Sequence, residues 1–190
     1  DIPVFVGKAN KKNPQYMKLA EEVSKFAEAG GTAVFLEVPG ENVPGLNRKL
    51  EEVETQTLPF GAQLLSPWTT LGAWAPKSHI VSKHPIFDGL PTGEIMNGVY
   101  ENVHPRVSMA KQKGEYIAGL IGYDHFPDQD IMLRHYNGPG EVWWAADVLE
   151  TNFGKGKMLL STLYLLENLG KDPVADKILY NMIEYVGKAK

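Results

Sequence analysis

The first 38 residues follow a strand, helix, strand pattern, and this pattern constrains the fold more than any other part of the chain. The run IPVFVG at 2–7 is short, β-branched and aromatic, and it ends in glycine, as a buried strand does. Asn13 and Pro14 favour a helix start, and apolar residues then recur at helical spacing until Gly30. The near-continuous apolar run TAVFLEV at 32–38 predicts a second strand, parallel to the first and joined to it by a right-handed crossover. We therefore predict an α/β fold.

The second half of the chain carries further strand signals and one more helix. Apolar runs predict strands at HIVS (79–82), YIAGLIGY (116–123), IMLRHY (131–136), VWWAADVLET (142–151) and KMLLSTLYL (157–165). The last two runs flank NFGKG, whose glycine favours a tight turn, so we predict an antiparallel C-terminal hairpin. Asp172 and Pro173 favour the start of a final helix, which we expect to pack on the sheet. Its apolar stripe consists of Ala175, Ile178, Leu179, Met182 and Val186.

Between residues 39 and 76 the periodic pattern loosens. A short helix is predicted at 46–53 within a long excursion, which we expect to cross the end of the sheet where α/β folds usually build their sites. The stretch PWTTLGAWAP places Trp68 and Trp74 in this excursion. Both are candidate carbohydrate-binding residues, because an indole ring offers a flat apolar face beside a polar N–H group; burial in the core is the alternative.

Charge and length exclude several classes of protein. The net charge is −4, the pI is near 5.8 and the lysines are scattered, so we predict no nucleic-acid partner and no binding to an acidic membrane surface. No apolar run approaches the roughly 20 residues that span a bilayer. We expect residues 1–190 to form a single domain. Because the chain begins at Asp1, without an initiator methionine or a signal-peptide pattern, we interpret it as part of a longer protein.

Three stretches together resemble a known family: FAEAGGTAVFLEVPG, HPIFDGLP and FGKGKMLLSTLYLLENLGKDPVADKILYNMIEYV. They are similar to the class I glutamine amidotransferase-like fold, in the branch found as accessory domains of bacterial glycoside hydrolases, especially of the family 2 and β-galactosidase type. The resemblance implies a flavodoxin-like three-layer α/β sandwich with a mostly parallel sheet. It also implies a catalytic domain of the same parent chain as partner, with self-association and glycan contact left open, and a periplasmic or extracellular location.

The resemblance does not carry the family's activity. Class I amidotransferases need a cysteine nucleophile, because acyl transfer passes through a thioester, and a histidine base near the C-terminal end. This chain has no cysteine, and no histidine follows His135. The absence of cysteine also excludes disulfides and thiolate metal sites, whereas it is compatible with any compartment. We therefore predict a non-catalytic accessory domain of a polysaccharide-degrading enzyme, without a cofactor. A carbohydrate-binding module that binds sugar through Trp68 and Trp74 is an alternative.

Two catalytic alternatives use residues that the chain does contain. A serine hydrolase would need a serine on a strand-turn-helix elbow, and the contexts of Ser66, Ser108 and Ser161 do not fit one. A stand-alone hydrolase could instead use His84, His104 or the polar cluster at Asp124, and it predicts a deep pocket with converging polar groups.

The same polar cluster, in YDHFPDQD, provides the only weak metal candidates that we identify. Asp124, His125, Asp128 and Asp130 carry oxygen and imidazole groups at spacings that could surround a divalent ion. A solvated turn, with Asp side chains bonded to their own backbone, is the simpler interpretation.

The stretch HPIFDGLPTG at 84–93 resembles half of an active site, because it contains His84 and Asp88. Pro85 biases His84 toward an extended conformation, and Asp88 with Gly89 supplies turn chemistry. We interpret the stretch as a corner, with Ile86 and Phe87 directed into the core.

Overall fold

The computed structural model describes residues 2–10, 12–42, 62–65, 79–110, 112–123 and 142–188. Its α-helices are α1 (Pro14–Glu28) and α2 (Pro173–Lys188), and two 3-10 helices span Pro85–Phe87 and Gly98–Tyr100. The strands are β1 (Val4–Val6), β2 (Thr32–Phe35), β3 (Gly40–Asn42), β4 (Ala62–Leu65), β5 (Ile80–Val81), β6 (Glu94–Ile95), β7 (Ser108–Ala110), β8 (Glu115–Tyr123), β9 (Val142–Phe153) and β10 (Gly156–Ser161). The helix predicted at 46–53 and the strand predicted at 131–136 lie outside the described residues.

The strands form one mixed sheet. Its main path runs β1-β2-β10-β9-β7-β4-β3, and β8 joins β9 to β5, which in turn pairs with β6. The α/β class and the parallel pairing of β1 with β2 are confirmed. The prediction of a mostly parallel sheet is wrong for the described strands, because only the pairs β1-β2, β2-β10 and β3-β4 are parallel. Strand β9 accounts for much of the difference, since β7, β8 and β10 all pair with it in antiparallel orientation.

Both predicted helix starts are confirmed by their capping contacts. The side chain of Asn13 accepts a hydrogen bond from the Gln15 N–H at 2.9 Å, and Pro14 occupies the first turn, where its missing N–H costs nothing. At the second helix, Asp172 accepts a hydrogen bond from the Val174 N–H at 2.8 Å. No helix in the described part of the chain is long and apolar enough to cross a membrane.

The alternating side chains of β2 separate two hydrophobic cores. Ala33 and Phe35 belong to the core that contains the buried face of α1, whereas Val34 and Leu36 belong to the core that contains the buried face of α2. Successive side chains of a strand point to opposite faces of a sheet. The two helices therefore cover opposite faces, and the prediction that the final helix packs on the sheet is confirmed.

The C-terminal hairpin is also confirmed, and a close backbone approach fixes its turn. Phe153 pairs with Gly156 across a two-residue connection that begins with Gly154, whose φ is +59°. A Cβ atom at Gly154 would lie 2.5 Å from the Glu28 carbonyl oxygen at the end of α1. The hairpin turn therefore packs against the first helix, and only glycine fits there without strain.

Strand β10 ends four residues earlier than the apolar run 157–165 predicts. After Ser161, the N–H of Thr162 donates to the carbonyl oxygen of Asp147 at 2.8 Å, and the Ser161 hydroxyl accepts a hydrogen bond from the Leu163 N–H at 3.1 Å. The first bond continues the register of β10 with β9 by one residue, and the second is a local contact of the Ser161 side chain beyond the end of the strand. The residues beyond Ser161 then line a cleft at this edge of the sheet.

Candidate functional site

The stretch 84–93 forms the predicted corner. His84 is the N-cap of the 3-10 helix Pro85–Phe87, and its Nδ1 accepts a hydrogen bond from the Ile86 N–H at 3.2 Å. Ile86 and Phe87 are fully buried, which confirms that they anchor the corner in the core.

Helix α2 holds the corner in place. The side-chain amide of Asn181 donates to the carbonyl oxygens of Ile86 and Asp88, at 3.0 Å each, so one buried side chain satisfies two backbone acceptors. The ring of Tyr185 meets the His84 ring nearly edge-on, with 4.6 Å between centroids. Burial lowers the pKa of His84, although the negative charges of nearby glutamates oppose the shift. A neutral imidazole agrees with the role of Nδ1 as an acceptor.

A second group of polar side chains lies inside the sheet, and we call His79, His104, Ser108 and Asp147 the buried polar cluster. The His79 Nδ1 lies 2.5 Å from one oxygen of Asp147, and the Ser108 hydroxyl donates to the other oxygen at 2.6 Å. His79 and Asp147 are 0% exposed and Ser108 is 1% exposed. The rings of His79 and His104 meet edge to face, with 4.5 Å between centroids.

Strand register explains how the cluster assembles. Met109 pairs with Ala146, so Ser108 comes to lie beside Asp147 on the neighbouring strand. On the other edge of β9, Ala118 pairs with Val148 and the next residue of β8 pairs with Ala146, so Asp147 has no partner on β8. Such an extra residue bends the strand and changes the direction of its side chain. The bulge thus directs the Asp147 carboxylate into the protein interior, between β7 and His79, the residue that precedes β5.

The geometry of the cluster differs from that of a hydrolytic triad. In a triad the histidine lies between the serine and the carboxylate and accepts the serine proton. Here the carboxylate of Asp147 lies between Ser108 and His79, so the serine proton is held by the carboxylate. The Nε2 of His79 is buried and has no hydrogen-bond partner among the described residues. A buried carboxylate with both oxygens bonded is suited to holding neighbouring groups in place.

The histidines of the hydrolase hypothesis are not brought together. His84 contacts Ile86 and Tyr185 at the corner, whereas His104 contacts His79 and lies with its Nδ1 3.2 Å from the Pro105 carbonyl oxygen. The third candidate, Asp124, lies outside the described residues. The two histidines thus have different surroundings: His84 lies at the corner, whereas His104 lies beside the His79–Asp147 pair.

A small cleft lies at the carboxyl ends of the parallel strands, the edge at which open α/β sheets usually bind ligands. Its volume is about 160 Å³, and we call it the carboxyl-edge cleft. Glu37 enters it just after β2, Thr162 and Tyr164 enter it just after β10, and Arg106 enters it just before β7. Thr162 also contacts the buried polar cluster through its bonds to the Asp147 carbonyl oxygen, so the cluster lies directly behind the cleft.

The carboxyl-edge cleft is rich in charge. The Arg106 guanidinium lies over the Tyr164 ring, 4.2 Å from its centroid, and Lys8 forms a 2.8 Å ion pair with Glu167. The hydrogen bond from Lys8 holds the pKa of Glu167 below its ordinary value, whereas burial raises the pKa of Glu37. This arrangement can bind a small polar group. Among the described lining residues it offers neither a cysteine nor a histidine.

Tyr16 adds a buried hydroxyl near Glu37. Its oxygen is closed off from solvent and has no hydrogen-bond partner in the described part of the chain. Burial, followed by the negative charge of Glu37, raises the pKa of Tyr16 to about 12. The phenol therefore keeps its proton at neutral pH and can act as a donor.

Several predicted site residues cannot be placed. The candidate sugar-binding residues Trp68 and Trp74 lie outside the described residues, as do the weak metal candidates Asp124, His125, Asp128 and Asp130. Within the described ranges, no group of three or more His, Cys, Asp or Glu residues could hold a metal ion.

The sequence names His104 as a candidate of the hydrolase alternative but does not predict the buried polar cluster, although one signal for it is present. Asp147 is a lone charge inside the apolar run VWWAADVL, and a charge at such a position needs partners. His79 opens the apolar run HIVS, while Ser108 was considered only as a nucleophile. No protein-family model matches the chain, and no curated protein sequence matches it significantly.

Proposed function

We propose that this chain is a non-catalytic accessory domain, with a flavodoxin-like three-layer sandwich, of a bacterial glycoside hydrolase that degrades polysaccharide. The observation that carries the proposal is the bonding of Ser108 to Asp147. The Ser108 hydroxyl lies beside a buried carboxylate and imidazole and donates its proton to the carboxylate, so it is not aligned for attack. The same contacts cross-link strands, which is a structural task.

The finer fold assignment has two supports. Helices α1 and α2 cover opposite faces of the sheet, as the outer layers of such a sandwich do. Strands β1, β2 and β10 are neighbours with parallel pairing, which is the arrangement expected of the family's central strands. The antiparallel strands around β9 would then be an addition to the family's central sheet that is specific to the accessory-domain branch.

An accessory domain needs a surface for its catalytic partner, and the edge near β6 supports one. Ile95 on this strand is 54% exposed, and Val99 in the following 3-10 helix is 44% exposed. Among the described strands, β6 pairs with β5 alone, and an edge strand is a position at which a partner's strand can add. We propose that the catalytic domain of the parent chain packs against this edge.

The test is an activity assay of the purified chain together with two variants of the cluster. We expect no ammonia release from glutamine and no cleavage of aryl glycosides beyond a blank without protein. An enzyme-like rate that falls in Ser108→Ala or His104→Ala, while both variants keep the wild-type circular dichroism spectrum, would show that the chain is an enzyme and would overturn the proposal. A rate that both variants retain would overturn the proposal as well if it stays with the chain through a further purification step, because the catalytic groups would then lie elsewhere in the chain. A rate that is lost on that step comes from a contaminating enzyme.

A further inference from the structure

A large groove lies between the corner and the outer side of α2. Its volume is about 990 Å³, at the upper end of the range of about 300–1,000 Å³ in which small-molecule sites usually fall. One wall is formed by the corner from Lys83 to Thr92, and the other by α2 from Lys177 to Lys188. We call it the corner groove.

The walls of the corner groove are fixed relative to each other. The two hydrogen bonds of Asn181 to the corner carbonyls join α2 to the opposite wall, and the buried Ile86 and Phe87 side chains hold the base. Gly89 has a φ of +78°, and a Cβ atom there would lie 3.3 Å from the Lys177 Cε. The glycine thus lets the Lys177 side chain lie close to the corner. A preformed groove binds a ligand with less ordering cost than one that must assemble.

The charges of the groove include two available cations. Neither Lys83 nor Lys177 forms a hydrogen bond or an ion pair with another described residue, and Lys177 is only partly exposed. Lys188, in contrast, is paired with Glu184 at 2.7 Å. Three lysines and two carboxylates line the groove, a net of +1, on a chain whose formal net charge is −4. The groove therefore favours an anionic group more than the rest of the surface does.

An aromatic ring lies beside these cations. Tyr180 is 58% exposed, and the Lys177 Nζ is 5.7 Å from the centroid of its ring. Its free face can pack against the C–H face of a saturated ring, which is an apolar surface. The exposed carboxylate of Asp88, which has no described partner, can accept hydrogen bonds from hydroxyl groups.

We propose that the corner groove binds an acidic sugar, with its carboxylate at Lys177 and Lys83, its ring on Tyr180 and its hydroxyls toward Asp88. A neutral sugar would leave the two lysines unused, and a simple anion would leave the tyrosine face unused. The inference goes beyond the proposed function, because it concerns a ligand that this chain itself would bind, and its test needs no catalytic partner.

The test is isothermal titration calorimetry of the full chain at low ionic strength with two acidic probes, trigalacturonate and a hyaluronan tetrasaccharide. Galactotriose serves as the neutral counterpart, and inorganic phosphate serves as the anion without a ring. We expect at least one acidic probe to bind saturably and galactotriose to bind at least about tenfold more weakly than that probe. A charge-assisted hydrogen bond accounts for about that factor in affinity. We expect phosphate to show no saturable binding at the concentrations at which the acidic probe binds, and we expect it not to displace the sugar.

Variants identify the residues. Lys177→Gln should weaken binding of the acidic probe about tenfold, and Tyr180→Ala about fivefold, at an unchanged melting temperature because both side chains lie at the surface. Lys113→Gln, an exposed lysine that does not line the groove, is the matched control and should bind like wild type. The proposal is overturned if neither acidic probe binds, if galactotriose or phosphate binds as tightly, or if Lys177→Gln has no more effect than Lys113→Gln.

Discussion

Replacing Asp147 by alanine would remove the centre of the buried polar cluster, and the structure sets the scale of the effect. The change takes the acceptor from the Ser108 hydroxyl and from the His79 Nδ1, and both residues remain buried. Leaving a buried polar group without its partner costs about 1–3 kcal/mol, so two such groups predict a loss of about 2–6 kcal/mol in the free energy of unfolding. That is a large part of the roughly 5–15 kcal/mol that stabilises an ordinary domain.

Equilibrium unfolding in urea, followed by circular dichroism, measures this loss. We expect a lower midpoint with an unchanged slope, because the surface exposed on unfolding stays the same. Asp88→Ala, which removes an exposed carboxylate, is the matched control and should change the free energy of unfolding by less than about 0.5 kcal/mol. The double variant Ser108→Ala/Asp147→Ala should be less destabilised than the sum of its single variants, because no hydroxyl is then left unpaired.

Two results would contradict this reasoning. If Asp147→Ala cost less than about 1 kcal/mol, the two hydrogen bonds would not stabilise the folded state as the distances imply. If the double variant cost the sum of its single changes, Ser108 and Asp147 would act independently, although their oxygens are 2.6 Å apart.

Three further predictions test the corner, the hairpin and the carboxyl-edge cleft. His84→Ala removes the cap of the Ile86 N–H and should lower the free energy of unfolding by about 1 kcal/mol in urea unfolding; an unchanged free energy would mean that this hydrogen bond does not stabilise the corner. Gly154→Ala should cost about 2 kcal/mol in urea unfolding, because its φ of +59° is left-handed and its Cβ would meet the Glu28 carbonyl; a neutral result would mean that the turn relaxes easily. Burial raises the pKa of Glu37, so the folded state binds the Glu37 proton more tightly than the unfolded state does. The ionised carboxylate therefore destabilises the folded state at neutral pH, and this destabilisation disappears as the pH falls through the raised pKa. Glu37→Gln should therefore gain stability relative to wild type at about pH 7 and lose that gain near pH 4 in melting experiments; a gain that grew toward low pH would reverse the assignment.

Local signals in the sequence were sufficient for the helices and the hairpin. Asn13 before Pro14 and Asp172 before Pro173 are capping pairs whose effect reaches only a few residues along the chain, and the structure has both helix starts. The glycine of NFGKG likewise acts within its own turn. These elements could be predicted because the interactions that define them are close in sequence.

The strand directions and the buried polar cluster depend on contacts that are far apart in sequence. Whether β8 pairs with β9 in parallel or antiparallel orientation is decided by tertiary packing, and the apolar runs are the same in either case. His79 and Asp147 are 68 residues apart, and Asp147 is the residue that the bulge in β9 leaves unpaired with β8. A pattern of apolar and polar residues does not encode that bulge.

The position of the cluster in the sheet gives it a role in fixing strand register. A shift of one residue in the pairing of β9 would move Asp147 to the opposite face of the sheet, away from Ser108 and His79. Such a shift would leave a charged group unpaired in an apolar layer, which is far more costly than the small difference in packing between two registers of apolar strands. The Thr162 bonds to the Asp147 carbonyl oxygen extend the same constraint to the end of β10 and so to the carboxyl-edge cleft. A buried carboxylate held in this way contributes specificity for one arrangement of four distant segments.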